Sequence, residues 1–269
     1  MNIIVIPIYK STLNDDEITS LKQCFKILGT HKISFITPKS LDIQYYQNLC
    51  DTLGVSCVFE TFEDLYFKGL KGYNKLLMSA KFYQRFKAYN FMLIYQLDAW
   101  VFRDELDYWC EQNYDYIGAP WFYKGQGNTS FYGVGNGGFS LRKISSFIKI
   151  TTGFYRTRSL SYLKSVLLSR PYNFKGKVGV YFQLIKAFFY FKNNTHYKFN
   201  DFPGYEDKFW GFKLSRTISW YKVPEPIEAS KFSFELNPEF LYKLNKNKLP
   251  FGCHGWEKYE PEFWNKYIK

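Results

Sequence analysis

With 269 residues, 46% of them hydrophobic and 22% aromatic, this chain can enclose a large core, and that composition excludes a disordered or low-complexity protein. No apolar run approaches the length that a bilayer-spanning helix needs; residues 3–6 and 188–191 are the densest. The net charge of +12 is concentrated, because residues 142–200 hold twelve Lys or Arg and no Asp or Glu, which leaves the remainder balanced.

Residues 2–8 form an almost wholly apolar, β-branched run, the pattern of a strand buried on both faces. Asp15 and Asp16 then open a helix whose apolar positions Ile18, Leu21, Phe25 and Leu28 recur at helical spacing up to Gly29. Residues 33–36 give a second strand closed by Pro38, Ser40 caps a helix running to about Leu53, and residues 55–59 give a third strand. This alternation predicts a parallel sheet with right-handed crossovers. A further helix spans 73–87, with Leu76, Leu77, Ala80, Tyr83 and Phe86 toward the core, and feeds a central strand at 91–97. Ligands of open α/β sheets sit beyond the carboxyl ends of the strands, so Asp98 falls where ligand chemistry belongs. After it come a short helix at 105–112, a strand at 116–118, a loop at 125–133 and a return strand at 138–141. The basic segment reads as helical, another helix opens at 205–210, and the tail from 224 onward is rich in Pro, aromatics and charge. No repeat or clear linker interrupts the chain, which favours a single domain over 1–269.

The N-terminus lacks a basic region ahead of its apolar stretch, so it reads as a first strand and not as a secretory signal. Cys24, Cys50, Cys57, Cys110 and Cys253 are odd in number and show no CxxC spacing, which points to reduced, mostly buried thiols in a cytoplasmic protein. Aromatics are interleaved with the basic segment, among them Phe147, Tyr155, Tyr162, Tyr172, Tyr181, Phe188 and Phe191. Such a surface suits an anionic membrane face, a lipid-linked phosphate or, as a distant alternative, the nucleic acid of a basic binding module; a solvated basic face over an aromatic core explains the same composition. Neither an RNA-binding aromatic signature nor zinc-finger spacing occurs, so no nucleic-acid partner is expected.

Five segments hold residues with chemistry: Gln96-Leu97-Asp98-Ala99-Trp100, Tyr116-Ile117-Gly118-Ala119-Pro120-Trp121, Gly135-Asn136-Gly137-Gly138-Phe139-Ser140-Leu141-Arg142, Tyr205-Glu206-Asp207-Lys208-Phe209-Trp210, and Phe251-Gly252-Cys253-His254-Gly255-Trp256-Glu257-Lys258. A carboxylate at a strand mouth can hold a hard divalent cation that keeps sites open for phosphate. Glycines allow close backbone approach, and Asn136 offers both donor and acceptor to sugar hydroxyls. In order and spacing these segments resemble glycosyltransferases of the GT-A fold, in particular a bacterial glycosyltransferase-like domain family found with polysaccharide biosynthesis genes. The resemblance runs from about Tyr73 to the C-terminus, while the preceding residues agree in element order only.

What the resemblance implies is an α/β fold of GT-A type, with a mixed, mainly parallel sheet flanked by helices, a donor half at 1–142 and an acceptor half at 143–269. Asp98 takes the first place of an Asp-x-Asp motif, for metal and ribose, and His254 is a further metal ligand for Mn²⁺ or Mg²⁺. Trp100 stands where the second aspartate would be, so the metal is weakly held or dispensable. Gln96, Trp100, Asn136, Gly137 and Gly138 fall on the donor side. Pro7, Tyr9 and Lys10 surround base, ribose and phosphate, with Asn74 and Lys75 as further donor contacts. Asp207 is the base that deprotonates the acceptor hydroxyl, and Glu206 orients the acceptor or stands in as base. Each residue alone has an ordinary explanation: Asp98 as a strand-end turn residue, His254 as a satisfied histidine, the glycines as a hairpin or bulge, Glu206 and Asp207 as first-turn acids.

The expected activity is transfer of a sugar from a nucleotide-diphosphate sugar to a hydroxyl of a glycan or lipid-linked acceptor, with inversion, by a cytoplasmic protein peripheral to the inner face of the plasma membrane. One rival is an inactive, sugar-nucleotide-binding relative. Another is a nucleotidyltransferase, which needs a glycine- and lysine-rich phosphate loop that residues 7–12 do not form.

Overall fold

The structure, a computed structural model, describes residues 1–123, 129–158, 160–169, 173–200 and 204–268. Arg170, Tyr172 and positions 125–128 of the expected loop lie outside the described residues. The strands are β1 (Asn2–Pro7), β2 (Lys32–Pro38), β3 (Cys57–Phe62), β4 (Phe91–Tyr95), β5 (Ala99–Val101), β6 (Tyr116–Ile117), β7 (Pro120–Phe122), β8 (Phe131–Val134), β9 (Phe139–Lys143), β10 (Ser233–Phe234) and β11 (Gly252–His254).

Six of them form one sheet in the order β3-β2-β1-β4-β9-β6. β1 to β4 run parallel, as the alternation of strand and helix predicts, and β9 is antiparallel to both of its neighbours. The sheet is built on residues buried on both faces: Ile4, Val5 and Ile6 of β1 and Met92, Leu93 and Ile94 of β4 have no exposed surface. Burying one such side chain stabilises the fold by about 1.5–3 kcal/mol. Helix Asp15–Leu28 closes one side with Leu21, Cys24, Phe25 and Leu28. Its start is fixed by a reciprocal cap: the Asn14 side chain accepts from the Glu17 N–H at 2.8 Å, and the Glu17 carboxylate accepts from the Asn14 N–H at 3.0 Å.

Several local expectations are corrected. The helix expected at 73–87 is two, Gly69–Leu77 and Ala80–Arg85, because the Ser79 hydroxyl caps the second by accepting from the Phe82 N–H at 3.2 Å. Ser40 caps nothing; its own N–H donates to Asp64, and the helix begins at Gln44. The third strand starts at Cys57, two residues later than expected, and part of the loop at 125–133 is strand β8. The helix opening at 205–210 continues as a π-helix, Lys208–Leu214, a form frequent at functional sites.

The register decides where the site falls. Tyr95 at the end of β4 lies opposite Phe139 at the start of β9, so Gly137 and Gly138 sit beside Gln96 and Asp98 at the sheet's C-terminal rim. The Gln96 N–H donates to the Gly138 carbonyl at 2.8 Å, which extends that ladder by one rung. From there the chain crosses into a second sheet, β10-β11-β5, in which His254 pairs with Ala99 and Cys253 with Phe234. Asp98, His254 and Glu235 are thereby brought to one end of this small sheet. All five cysteines are free thiols, four buried and Cys57 partly so. Among the described residues no helix is long and apolar enough to cross a membrane.

Candidate active site

His254 is the hub. Its Nε2 lies 3.1 Å from Asp98 Oδ1 and 3.2 Å from Gln96 Oε1, while Nδ1 lies 3.1 Å from Glu235 Oε1. All three neighbours are oxygen acceptors, so the ring satisfies them best by donating from both nitrogens, as an imidazolium. Burial disfavours that charge, but Asp98 and Glu235 outweigh burial and raise the pKa to about 10. Asp98 accepts a further contact from Lys258 on Oδ2. Burial opposes its ionisation as well, yet His254 and Lys258 hold its carboxyl well below the usual carboxylate range. The Gly255 N–H donates to the Asp98 carbonyl at 2.8 Å, pinning the histidine segment to the strand end.

The glycines are needed for space. A Cβ on Gly138 would stand 2.0 Å from His254 Nε2, and one on Gly137 would stand 2.4 Å from Glu206 Oε1. Asn136 adopts φ of 67°, and its side-chain oxygen accepts from the Gly138 N–H at 3.0 Å. Its Nδ2 is buried without a hydrogen-bond partner, as is the Tyr73 hydroxyl close to Gln96, Asp98 and Arg142. Buried polar atoms are almost always paired, so both mark places where a polar ligand group would complete the bonding.

Glu206 and Asp207 follow immediately behind. Glu206 is buried against the equally buried Arg142, which donates from Nη2 at 2.8 Å and from Nη1 at 3.0 Å to its two oxygens. Both oxygens of Glu206, expected to orient the acceptor or to stand in as base, are thus engaged in an ion pair with Arg142. Asp207 accepts from the Gly137 N–H at 3.2 Å and from the Lys208 N–H at 2.7 Å. Burial, reinforced by the Glu206 charge, pushes its pKa up to about 7. Asp98, His254 and Asp207 therefore converge through Gly137 and Gly138. His254 and Lys258, from beyond residue 142, both touch Asp98.

Other expected residues lie differently. Trp100, expected on the donor side, is 6% exposed and packs edge-on against Trp256 in the smaller hydrophobic cluster. Pro7 is buried in β1, and Tyr9 is exposed just beyond it. The Lys10 ammonium pairs with Glu17 at 2.5 Å. Asn74 bridges toward the segment that bears Asp207, accepting from the Glu206 N–H at 3.3 Å and donating to the Gly204 carbonyl at 3.4 Å. Lys75 is exposed on the same helix. Arg142, Glu235, Lys258 and Tyr73 were not assigned site roles from sequence; only Arg142 and Lys258, inside quoted motifs, carried any signal. Surface clefts beside Cys50 and Cys57, and beside Asp115 and Lys222, contain none of these groups.

The donor set bears on a divalent cation. Asp98 and His254 present an oxygen and a nitrogen 3.1 Å apart, but Glu235 occupies the far ring nitrogen, and no group of three or more ligands forms among the described residues. As an imidazolium His254 has no lone pair for a metal, so Asp98 and His254 would hold an ion at two protein points only when the Nε2 proton is displaced, with phosphate and water supplying the other ligands.

A family described as "Protein of unknown function (DUF5672)" matches residues 56–254. The chain belongs to the DUF5672 family. No curated protein matches it in sequence. Among solved structures, this DUF5672 chain resembles mouse xyloside xylosyltransferase 1, with a TM-score of 0.52 and 11% identity over 95% of this chain and 98% of that one. It also aligns with the glycosyltransferase GlyE of Streptococcus pneumoniae TIGR4, at 0.48 and 12% identity, covering 99% of this chain and 60% of GlyE. A third is core-mannan synthase A of Aspergillus fumigatus in a Mn/GDP form, at 0.42 and 9% identity, covering 54% of this chain and 60% of that one. The fold is that of the GT-A glycosyltransferases.

Proposed function

We propose that this protein is a glycosyltransferase that moves a sugar from a nucleotide-diphosphate sugar to a hydroxyl of a glycan or lipid-linked acceptor, with inversion. The observation that carries this reading is Asp207: a carboxylate with a pKa of about 7, fixed by two backbone N–H groups, one residue pair away from the Asp98–His254 cluster. A general base works best when its pKa lies near the operating pH.

In this reading the diphosphate rests near Asp98, His254 and Lys258, and the donor sugar lies beside Gly137 and Gly138, whose missing side chains let His254 and Glu206 close up against the backbone. Asn136 and Tyr73 supply their unpaired donors to sugar or phosphate oxygens. A divalent cation held by Asp98 and His254 would offset the diphosphate charge when bound. The acceptor hydroxyl gives its proton to Asp207 as its oxygen bonds to the anomeric carbon. The bond from that carbon to the diphosphate oxygen breaks, and the nucleoside diphosphate departs with the electron pair. Glu206 takes no proton; held by Arg142, it keeps Asp207 electrostatically primed and in place.

A thermal-shift screen of nucleotide-sugars with and without Mn²⁺, followed by assay of nucleoside diphosphate release, tests the proposal, since a ligand that binds only the native state raises its apparent stability. Asp98→Ala should remove the shift, whereas Asp207→Ala should keep it and stop release. A shift without any release by the wild-type protein favours instead a sugar-nucleotide-binding protein without transferase activity, the reading that the core position of Trp100 supports.

A further inference from the structure

We propose that the outer face of helix Phe174–Phe188, with the chain just beyond it, docks on an anionic lipid bilayer and lies in the plane of the interface. The helix has 15 residues. Tyr181 and Phe182 each lie three or four residues from both Val178 and Ile185, and Phe189 lies four beyond Ile185, so the five share one face. That face is open to solvent: Tyr181 and Phe182 are each 60% exposed and Phe189 is 73% exposed. The opposite face, with Val180 and Ala187 buried and Leu184 partly so, is the one packed on the protein. An amphipathic helix in a globular protein normally turns its apolar stripe inward; this one keeps a second, aromatic stripe outside.

Charge selects the occupant. Lys175 and Lys186 flank the stripe on one side and Lys177 on the other, all exposed, and no Asp or Glu occurs anywhere in residues 142–200. An aromatic stripe bordered by lysines is the composition of a helix that sits at a lipid headgroup boundary, with rings inserted and ammonium groups on the phosphates. Pairing of two copies through this face would bring lysines together with no acid to meet them, which argues against self-association. The inference stands apart from the reading of the Asp98–Asp207 site, because none of these residues belongs to that cluster.

Co-sedimentation of the full chain with phosphatidylcholine vesicles, with and without phosphatidylglycerol, tests it. Binding should require phosphatidylglycerol and fall with salt. The combined variant Lys175→Gln, Lys177→Gln and Lys186→Gln should lose about a hundredfold in partitioning, given the attraction expected per lysine. The combined variant Tyr181→Ser, Phe182→Ser and Phe189→Ser should also release the protein, with circular dichroism and the thermal midpoint unchanged, since these side chains are outside the core. Absence of binding to phosphatidylglycerol vesicles at low salt overturns the proposal. So does wild-type binding by both variants, or a dimer in sedimentation velocity that the serine variant dissolves while vesicle binding is absent.

Discussion

Arg142 grips Glu206 through both carboxylate oxygens, at 2.8 and 3.0 Å, with neither side chain more than 4% exposed. The same guanidinium donates to the Tyr83 hydroxyl at 3.0 Å and, from Nε, to the Ser140 hydroxyl at 3.1 Å. It thereby ties β9 to helix Ala80–Arg85 and to the segment that bears Asp207. Removing one partner of such a pair strands a buried charge. Arg142→Met or Glu206→Leu alone should lower stability by about 3–5 kcal/mol, whereas the double variant should recover much of that loss. Urea denaturation of the three proteins checks this; additive losses would show that the pair is not a unit.

Asp207 makes both rate and stability depend on pH. If its carboxylate must be ionised to accept a proton, turnover should rise through about pH 7 and then level off. Stability should move oppositely. Between the ordinary aspartate pKa near 3.8 and the folded value near 7, the unfolded chain ionises and the folded protein does not, so stability falls as pH rises through that window. Asp207→Asn should then abolish transfer yet raise stability at neutral pH by on the order of 1–2 kcal/mol, after loss of one carboxylate oxygen as acceptor. Thermal melts at pH 5 and pH 8 measure this; a variant less stable than wild type at pH 8 refutes the assignment of strain to this carboxylate.

Gly138→Ala would place a methyl group 2.0 Å from His254 Nε2. The imidazole must swing away from Asp98 and Gln96, at an overpacking cost of about 1–3 kcal/mol. Nucleotide-sugar affinity should drop with the fold retained, as read by calorimetry alongside circular dichroism. Unchanged affinity would mean that the His254 position is irrelevant to the donor.

Lys258 and a divalent cation compete for the same Asp98 carboxylate. The lysine head is more than half exposed, so its grip is worth about 1 kcal/mol at most. Lys258→Ala should therefore tighten Mn²⁺ binding by no more than about fivefold, measured by electron paramagnetic resonance of free Mn²⁺. Weaker binding in the variant would contradict competition.

Much of this architecture was legible in the residues. The apolar runs of β1 and β4 could be nothing but interior strands, and Asp98 followed from its place at a strand end. Asp207 stood out only through its motif, because local pattern cannot distinguish a helix-start acid from a candidate base. Other parts depend on register. Glu235 is a single acid in a tail of mixed composition; it acquires meaning only when Phe234 aligns with Cys253 and sets it against His254. Arg142 counted among the basic residues of a charged segment, yet β9 carries it into the core, where Glu206 meets it. Trp100 occupied the place of a metal ligand, but strand alternation beyond Asp98 turns its ring toward Trp256. The break at Ser79 was written in its hydroxyl and hidden by the continuous apolar spacing around it.

β11 is the middle strand of its small sheet, inserted between β10 and β5. The imidazole therefore reaches Asp98 only through pairing with residues 233–234 on one side and 99–101 on the other, so any loosening of that small sheet also withdraws His254 from the carboxylate.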